Sequence, residues 1–316
     1  RQWSSADRDP IAALRERAKR LIGQAAELRR LADAVHQQKV LAALAKELAG
    51  DEAEVDLVYA ALLVAQLDND ELDIEAYRQQ FDHMAEELKS RLPADADEAS
   101  RLAALDEYLF RLNGFHGSRA DYYNRRNSYI NEVLDDREGI PITLSLVYIE
   151  LARRLGLDVV GIGLPGHFVV EFRPSEAAPR VIDVFEAGQP LDRGQIEARV
   201  LAATGQPLDD AQLAPVSKRA LLVRMLRNLH AIAARSQDMP GVLRYLDAIL
   251  TLTPDSAEDR MYRAFFRYQG GQGLAALEDL DWLIAHEPPG IELDRVRQLR
   301  DSITAKRDRR GAAIDP

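Results

Sequence analysis

The sequence predicts an α+β protein that is mostly helical, and three features of the residue pattern predict this class. Apolar residues recur at helical spacing through most of residues 9–112. Short segments rich in Val, Ile and Phe between residues 159 and 185 are typical of strands, and they predict a small antiparallel sheet. From about Ser217 onward the pattern repeats at a fixed interval, which indicates stacked helix pairs.

Residues 1–112 are predicted to form a helical region that packs on the rest of the chain. The first helix is strongly charged, which favours a solvated face; a face that meets a partner helix is the alternative. A separate second helix is expected at about 39–48, ending at Gly50, and Asp70 or Asp73 is expected to cap a later one. The apolar positions that recur in the first helix are Ala12, Leu14, Ala18, Leu21, Ile22 and Ala25.

Residues 113–216 are predicted to form an α+β core. Pro141 lies in the first turn of a helix that ends near Gly156, a position where proline is tolerated. A strand carrying His167 and another carrying Asp183 are expected to follow, joined as a hairpin. The core thus places a helix and a small sheet next to each other in the chain.

Residues 217–304 are predicted to form helical repeats. Pro288 follows Pro254 by 34 positions, which is the period of the tetratricopeptide repeat. Each such helix pair buries its apolar face only against a neighbour, and roughly three repeats are needed for independent stability. We therefore expect this region to pack on the rest of the protein. Further pairs at the same offset are Leu243 and Leu277, Leu246 and Leu280, and Ile249 and Leu283.

The composition argues against several classes of partner. A net charge of −11 argues against nucleic acid and against an anionic membrane, because both bind basic surfaces. No apolar run reaches the ~18 residues of a membrane span, and the first residues lack the apolar core of a signal peptide, so a cytoplasmic location is expected. The six histidines show no metal-ligand spacing and no glycine-rich phosphate loop appears, so neither a metal nor a cofactor is expected.

The order of elements in the centre is that of a transglutaminase-like cysteine hydrolase. Such an enzyme holds its nucleophile at a helix N-terminus, where the helix dipole favours the anion, with a His and then an Asp on later strands. His167 and Asp183 occupy the last two places, but the chain contains no cysteine. In the arrangement that this order resembles, the cysteine lies about four turns before the glycine that ends the helix, which implies that Pro141 occupies the nucleophile's position.

Two hydroxyl groups in the same helix are the remaining candidate nucleophiles. They belong to Thr143 and Ser145, and Ser145 lies about one turn beyond Pro141. The helix dipole alone cannot ionise a hydroxyl, so an adjacent base would have to activate it. The alternative is that both hydroxyls bond to helix carbonyls or pack against neighbours.

His167 and a polar segment before the central helix each have two interpretations. His167 beside its Pro-Gly turn is either structural or a functional partner of Asp183, because a hairpin can place the two side by side. The segment either forms a structured loop or lines a pocket for a small molecule or an amide. The predicted binding residues of that pocket are Asn127, Asn131, Arg137 and His167.

Several runs of residues resemble those of the SirB-type proteins, a bacterial family that joins a transglutaminase-like core to C-terminal tetratricopeptide repeats. The resemblance extends roughly over residues 71–299. It implies a transglutaminase-like, cysteine-protease-like fold, with His167 and Asp183 in the places of the transglutaminase His and Asp and Pro141 in that of the Cys. The matching runs are 121–124 (DYYN), 127–134 (NSYINEVL), 139–148 (GIPITLSLVY), 165–168 (PGHF) and 224–229 (RMLRNL).

The sequence therefore predicts a pseudoenzyme that binds a protein or peptide in a regulatory or scaffolding role, through its former cleft and its repeats. The competing hypothesis is a hydrolase or acyl transferase that uses Ser145 or Thr143 with His167 and Asp183. It is motivated by the fact that both the His and the Asp are present in the expected order. Neither hypothesis names the partner or the substrate.

Overall fold

The structure is a computed structural model that describes residues 10–312 of the 316-residue chain, with side chains from residue 11 to residue 305. It is mostly helical with two small sheets, as the sequence predicts. The helices are α1 (Pro10–Glu47), α2 (Leu57–Gln66), α3 (Ile74–Ser90), α4 (Glu98–Asp106), α5 (Ile130–Asp136), α6 (Pro141–Arg154), α7 (Arg193–Thr204), α8 (Lys218–Arg235), α9 (Met239–Leu252), α10 (Ala257–Gln269), α11 (Gly273–His286) and α12 (Leu293–Ala312). The strands are β1 (His116–Gly117), β2 (Glu138–Gly139), β3 (Val159–Ile162), β4 (Val169–Phe172), β5 (Arg180–Asp183) and β6 (Gln189–Leu191).

Helix α1 is one continuous element, so the prediction of a separate helix from about residue 39 was wrong. Residues 24–49 contain neither Gly nor Pro, and nothing in that stretch ends the helix. Only the last part of α1 joins the body of the protein, where Val40 and Leu44 are buried and the helix contacts α2 and α9. The side chains of residues 11–35 are all exposed.

The next three helices begin at aspartates that act as N-terminal caps. The side chains of Asp56, Asp73 and Asp97 each accept a hydrogen bond from the backbone N–H three residues further on. This satisfies one of the N–H groups that a helix N-terminus leaves without an internal partner. Of the two caps that the sequence offered for this helix, Asp70 and Asp73, the structure has Asp73.

Strands β3 to β6 form one antiparallel sheet in chain order. Successive side chains face opposite sides, so Val170 and Phe172 enter the main core, whereas Val169 packs in a smaller cluster with Ile196 of α7. The sequence predicted β3, β4 and β5. Strand β6 was missed because it contains Pro190 and two exposed residues, a pattern typical of an edge strand.

Helix α6 is the central element of the main core. It packs against α2, α3, α4 and α5 and against strands β3 and β4. Leu146, Tyr148 and Leu151 have no exposed surface, and nearly every other residue of the helix is also buried. A helix that is buried on all sides is held by contacts around its whole circumference, so its N-terminus has a fixed position.

The C-terminal helices form the predicted repeat. Helix α11 begins and ends 34 residues after α9 begins and ends. Helix α8 packs on α9, and α10 packs on α11 in the same way. Leu222 of α8 and Tyr245 of α9 belong to the same core as α6, which confirms that the repeats pack on the rest of the protein. Helix α12 covers the far end, where Val296 and Ile303 join a separate cluster with α10 and α11.

The carboxylate of Asp68 links the repeats to the body. It accepts hydrogen bonds from the hydroxyls of Tyr129, at 2.5 Å, and Tyr245, at 2.6 Å, and it pairs with Arg244. Burial raises the pKa of both tyrosines, so they remain neutral donors. The group therefore joins the end of α2, the start of α5 and helix α9.

A second carboxylate, that of Asp106, is partly buried at the end of α4. The hydroxyl of Tyr148 donates to it over 2.8 Å. Burial raises the pKa of Asp106 to about 6, although the bond from Tyr148 and the charge of Arg180 oppose this rise. At neutral pH the Asp106 side chain is therefore ionised in the folded state, although its surroundings favour the protonated form.

Replacement of Asp106 by Asn should stabilise the protein at neutral pH but not at low pH. The folded pKa lies above the unfolded value of about 3.9, so the acid contributes its stability below that value and loses it as the pH rises through about 6. Asn cannot ionise and still accepts from Tyr148. We expect Asp106→Asn to exceed the wild type by about 1–2 kcal/mol near pH 7, after allowance for partial exposure, and to match it near pH 4.

Urea unfolding at both pH values measures this difference. The exposed Asp95→Asn serves as the control and should show no such dependence on pH. Equal stability of Asp106→Asn and the wild type at both pH values would contradict the assignment.

Candidate functional site

The N-terminus of α6 presents a proline where the catalytic pattern calls for a nucleophile. Pro141 is the first residue of the helix and is buried. Its ring has neither a nucleophilic atom nor a backbone N–H group. The tip of this helix can therefore supply neither a thiolate nor the first amide that would bind an anion there.

The hydroxyl of Thr143 is used to cap the same helix end. Its Oγ1 accepts from the backbone N–H of Ile140 over 3.1 Å and lies 2.8 Å from the carbonyl oxygen of Asn127, to which it donates. Gly139 lies so close that a Cβ at this position would come within 2.9 Å of this oxygen. These contacts fix the segment that leads into α6.

The hydroxyl of Ser145 lies deeper in the core. The residue has no exposed surface, and its Oγ makes no hydrogen bond in the described structure. Ser145 and His167 are therefore not joined as a nucleophile and its base would be. Thr143 and Ser145 as nucleophiles remain predictions; the Thr143 hydroxyl bonds to backbone groups, and the Ser145 hydroxyl has no hydrogen-bond partner in the described structure.

His167 lies in the turn before β4 and not on a strand, which corrects the sequence prediction. Its Nε2 is 3.0 Å from Oδ2 of Asp183, the last residue of β5. The carboxylate has no exposed surface, and its other oxygen accepts from the backbone N–H of Glu186 over 3.3 Å. The hairpin of β4 and β5 thus brings the imidazole and the carboxylate together.

Arg199 of α7 is a third member of this cluster that the sequence analysis missed. Its Nη1 lies 2.6 Å from Oδ2 of Asp183 and 3.4 Å from Nε2 of His167. Nε2 lies closer to the carboxylate than to the guanidinium, so its N–H is assigned to donate to Asp183, which makes Nδ1 the acceptor of the neutral ring. The only sequence signal was its position three residues after buried Ile196 on the same helix.

Arg199 changes what the cluster can do chemically. In a catalytic triad the carboxylate orients the imidazole and stabilises the imidazolium that forms during proton transfer. Here the charge of Asp183 is already balanced by a guanidinium at ion-pair distance. The carboxylate is therefore shared between the imidazole and a guanidinium, whereas the carboxylate of a triad serves the imidazole.

Arg224 of helix α8 holds the loop that carries His167. One of its nitrogens donates to the carbonyl oxygens of Leu164, at 2.7 Å, and His167, at 2.6 Å, and the guanidinium lies over the ring of Phe168. Burial lowers the pKa of Arg224 from its ordinary value. The first repeat helix and the His167 loop are thus joined by one side chain.

A series of ring contacts leads from His167 across the surface to the repeats. The ring centroid of Phe185 is 6.2 Å from that of His167 and 6.3 Å from that of Tyr122. Tyr122 contacts Tyr123 at 5.2 Å, and the guanidinium of Arg235 on α8 lies 3.9 Å from the Tyr123 centroid. We call these five residues the aromatic path.

A glycine allows the aromatic path to lie close to the core. A Cβ on Gly117 would come within 2.5 Å of the Phe185 ring, so any other residue at this position would displace the ring. Tyr122 and Tyr123 are 38% and 58% exposed, so their rings remain available to another molecule. The path is therefore an apolar strip with a cationic end.

The other predicted binding residues make structural contacts. Asn127 donates to the carbonyl oxygen of Asp121 over 2.7 Å, and Asn131 lies 3.4 Å from a carboxylate oxygen of its neighbour, with its own carbonyl oxygen unpaired. Arg137 donates to the side chain of Asn113 over 2.7 Å. None of these three side chains hydrogen-bonds to His167 in the described structure, and the pocket that they were predicted to line stays a prediction.

The described part of the chain has neither a candidate metal cluster nor a helix that could span a membrane. No group of three or more His, Cys, Asp or Glu side chains there is placed to hold a metal ion. Between residues 10 and 312, no helix combines the length and the apolar character that crossing a membrane requires.

Comparison with known proteins defines the class to which this fold and site belong. Residues 75–227 match the family model of the transglutaminase-like superfamily, and residues 229–301 match that of the tetratricopeptide repeat. Together they define a transglutaminase-like protein with C-terminal helical repeats. The predicted boundaries at residues 112 and 216 stay a prediction.

Relatives of similar length identify the family. A UPF0162 protein of Xylella fastidiosa is 35% identical over 252 residues, which are 78% of this chain and 89% of the relative. One of Vibrio cholerae is 27% identical over 243 residues, 76% of this chain and 90% of the relative. Protein SirB1 of Salmonella typhimurium is 24% identical over 235 residues, 70% and 85% of the two chains. The chain belongs to the SirB-type family, which includes these UPF0162 proteins.

Removal of the Arg199 charge should destabilise the fold, because the buried carboxylate of Asp183 would lose its ion-pair partner. We expect Arg199→Gln to lower the free energy of unfolding by about 2–3 kcal/mol, measured by urea unfolding. Arg193→Gln on the same helix removes exposed ion pairs and should cost less than about 1 kcal/mol.

A double variant tests the cause of this loss. Asp183→Asn combined with Arg199→Gln removes the buried charge as well, and it should recover part of the lost stability. Equal costs for Arg199→Gln and Arg193→Gln would contradict the role assigned to the ion pair.

Proposed function

We propose that this protein is a non-catalytic member of its family that binds an extended segment of a partner protein on the aromatic path, in a regulatory or scaffolding role. The observation that carries the proposal is the proline at the nucleophile's position in a chain without cysteine. A transglutaminase-like acyl transfer passes through a thioester, and no side chain here can form one.

The electrostatics of the cluster support the same conclusion. Asp183 is buried and shared between His167 and Arg199, which suits a rigid wall more than a proton relay. The imidazole keeps one nitrogen free, and this nitrogen can accept a hydrogen bond from a bound amide. On this proposal the former catalytic pair has become one of the polar contacts of a binding surface.

The chemistry of the aromatic path suits a peptide. Tyrosine, phenylalanine and arginine are enriched at protein interfaces, and the aromatic rings bury a large area at a small entropic cost. The path begins at the imidazole and ends on α8, the first repeat helix. An extended segment could therefore contact the core and the repeats at once, which is how helical repeats often hold their ligands.

The aromatic path should carry most of the binding energy for the partner. A photo-crosslinking amino acid placed at Tyr123 should capture the partner protein. The same amino acid placed at Leu274, which is 63% exposed on α11, should not capture that protein. With the captured protein purified, Tyr123→Ala and Arg235→Ala should each weaken its binding about tenfold or more. Leu274→Ala is the matched control and should leave the affinity unchanged. Unchanged affinity in both path variants would argue against this surface.

The alternative function is a hydrolase or acyl transferase with Ser145 or Thr143 as nucleophile. The hydrogen-bonded pair of His167 and Asp183 is the observation that favours it. A fluorophosphonate probe, which reacts with activated serines, is expected to leave the wild type unlabelled because the Ser145 hydroxyl is buried without a base beside it. Labelling that is lost in Ser145→Ala or Thr143→Ala would establish the enzyme instead.

A further inference from the structure

The first part of helix α1 projects from the body of the protein as an exposed arm, residues 14–35. Its 22 residues span about 33 Å at the rise of an α-helix. The arm precedes both family matches, which begin at residues 75 and 229. Six of its apolar side chains are 52–71% exposed, namely Leu14, Leu21, Ile22, Leu28, Leu31 and Val35.

The apolar residues of the arm follow a heptad pattern. Leu14, Leu21, Leu28 and Val35 recur every seven residues, and Ala18, Ala25 and Ala32 lie four residues after the three leucines. A spacing of three and four is that of the a and d positions of a coiled coil, with alanine at a and leucine or valine at d. The stripe covers two positions in seven, so it fits one facing helix.

We propose that the arm pairs with the arm of a second copy as an antiparallel two-helix coiled coil centred near Gly23. In this register Leu14 faces Ala32 of the second copy, Leu28 faces Ala18, and Leu21 faces Ala25. Each layer formed by residues 14–32 thus combines one large and one small side chain, and at the ends Val35 would face Ile11 of the second copy.

A parallel pair fits the arm less well. It would place Ala18 against Ala18 and Leu21 against Leu21, so narrow and wide layers would alternate along one interface. It would also bring the two protein bodies, both attached beyond residue 35, to the same end of the coil. The antiparallel pair holds them at opposite ends, about 36 Å or more apart along the axis. This separation also lowers the repulsion between two chains of net charge −11.

The flanks of the seam complete the interface. Ile22 would meet Ile22 of the second copy on one side, and Gln24 would meet Gln24 on the other. Arg15 would lie near Arg29 of the second copy, an exposed like-charge pair that costs little in salt. The apolar side chains of both arms would bury on the order of 1,000 Å² in total, which is the size at which specific interfaces begin.

Two other occupants are less suited to the arm. Residues 14–35 carry six Lys or Arg and three Asp or Glu, so an acidic helix or an anionic lipid surface would gain some attraction. A membrane-surface helix has a broader apolar face with aromatic residues, and the arm contains none. An acidic helix would complement the positive charge of the arm, but acidity alone does not supply side chains that fit the alternating Leu and Ala of the stripe.

Sedimentation equilibrium of the full chain tests the pairing. The wild type should sediment as a dimer at micromolar concentrations, and Leu21→Glu should weaken the dimer at least tenfold. Ala26→Glu adds the same charge outside the seam and should dimerise like the wild type. The arm is exposed, so neither variant removes a side chain of the folded core. A wild type that stays monomeric would overturn the proposal, including one that binds acidic helices or anionic vesicles instead.

Crosslinking in the cysteine-free chain tests the direction of the pair. Gln24→Cys should join two chains through a short bismaleimide, because the two positions lie almost opposite each other in the antiparallel register. Ala32→Cys should not, since its two copies would lie about 27 Å apart along the axis. Crosslinking at position 32 without crosslinking at position 24 would indicate a parallel pair and would overturn the proposed register.

Discussion

The position of the repeats depends on one partly buried carboxylate, that of Asp68. Two helix pairs cannot bury their apolar faces alone, so they need the body of the protein as a neighbour. Asp68 supplies the polar part of that interface, since hydroxyls from two elements and a guanidinium all converge on it. Buried polar groups demand specific partners, so this contact fixes the orientation of α9, whereas apolar packing alone would tolerate sliding. Helix α8 is placed by the same docking, and with it Arg224 and Arg235.

Under the proposed function, the site is a catalytic scaffold that has kept part of its geometry without the chemistry. The hairpin still sets the imidazole against the carboxylate, because β4 and β5 are held by the core on one side and by α7 on the other. Two changes separate this arrangement from a triad. The helix tip carries a pyrrolidine ring, and Arg199 occupies the carboxylate that would otherwise respond to proton transfer.

Features that lie within one element could be predicted from the sequence, and features made between distant elements could not. The repeat period, the cap at Asp73 and three of the strands follow from local spacing. The nearness of His167 and Asp183 was left open, although a hairpin made it physically reasonable. Arg199 and Arg224 were missed because an arginine on an amphipathic helix resembles any solvated residue until the fold brings a partner to it. The end near Gly50 was predicted, but the stretch before it was divided into two helices although residues 24–49 contain neither Gly nor Pro.

The double contact of Arg224 has a mechanical consequence. The guanidinium of Arg224 donates hydrogen bonds to two carbonyl oxygens of the turn that carries His167, and Arg224 belongs to α8, the first repeat helix. A rigid rotation of α8 would therefore also move that turn. A ligand that moves α8 when it binds the repeats would therefore also displace His167, which lies many positions away in the chain, through the side chain of Arg224.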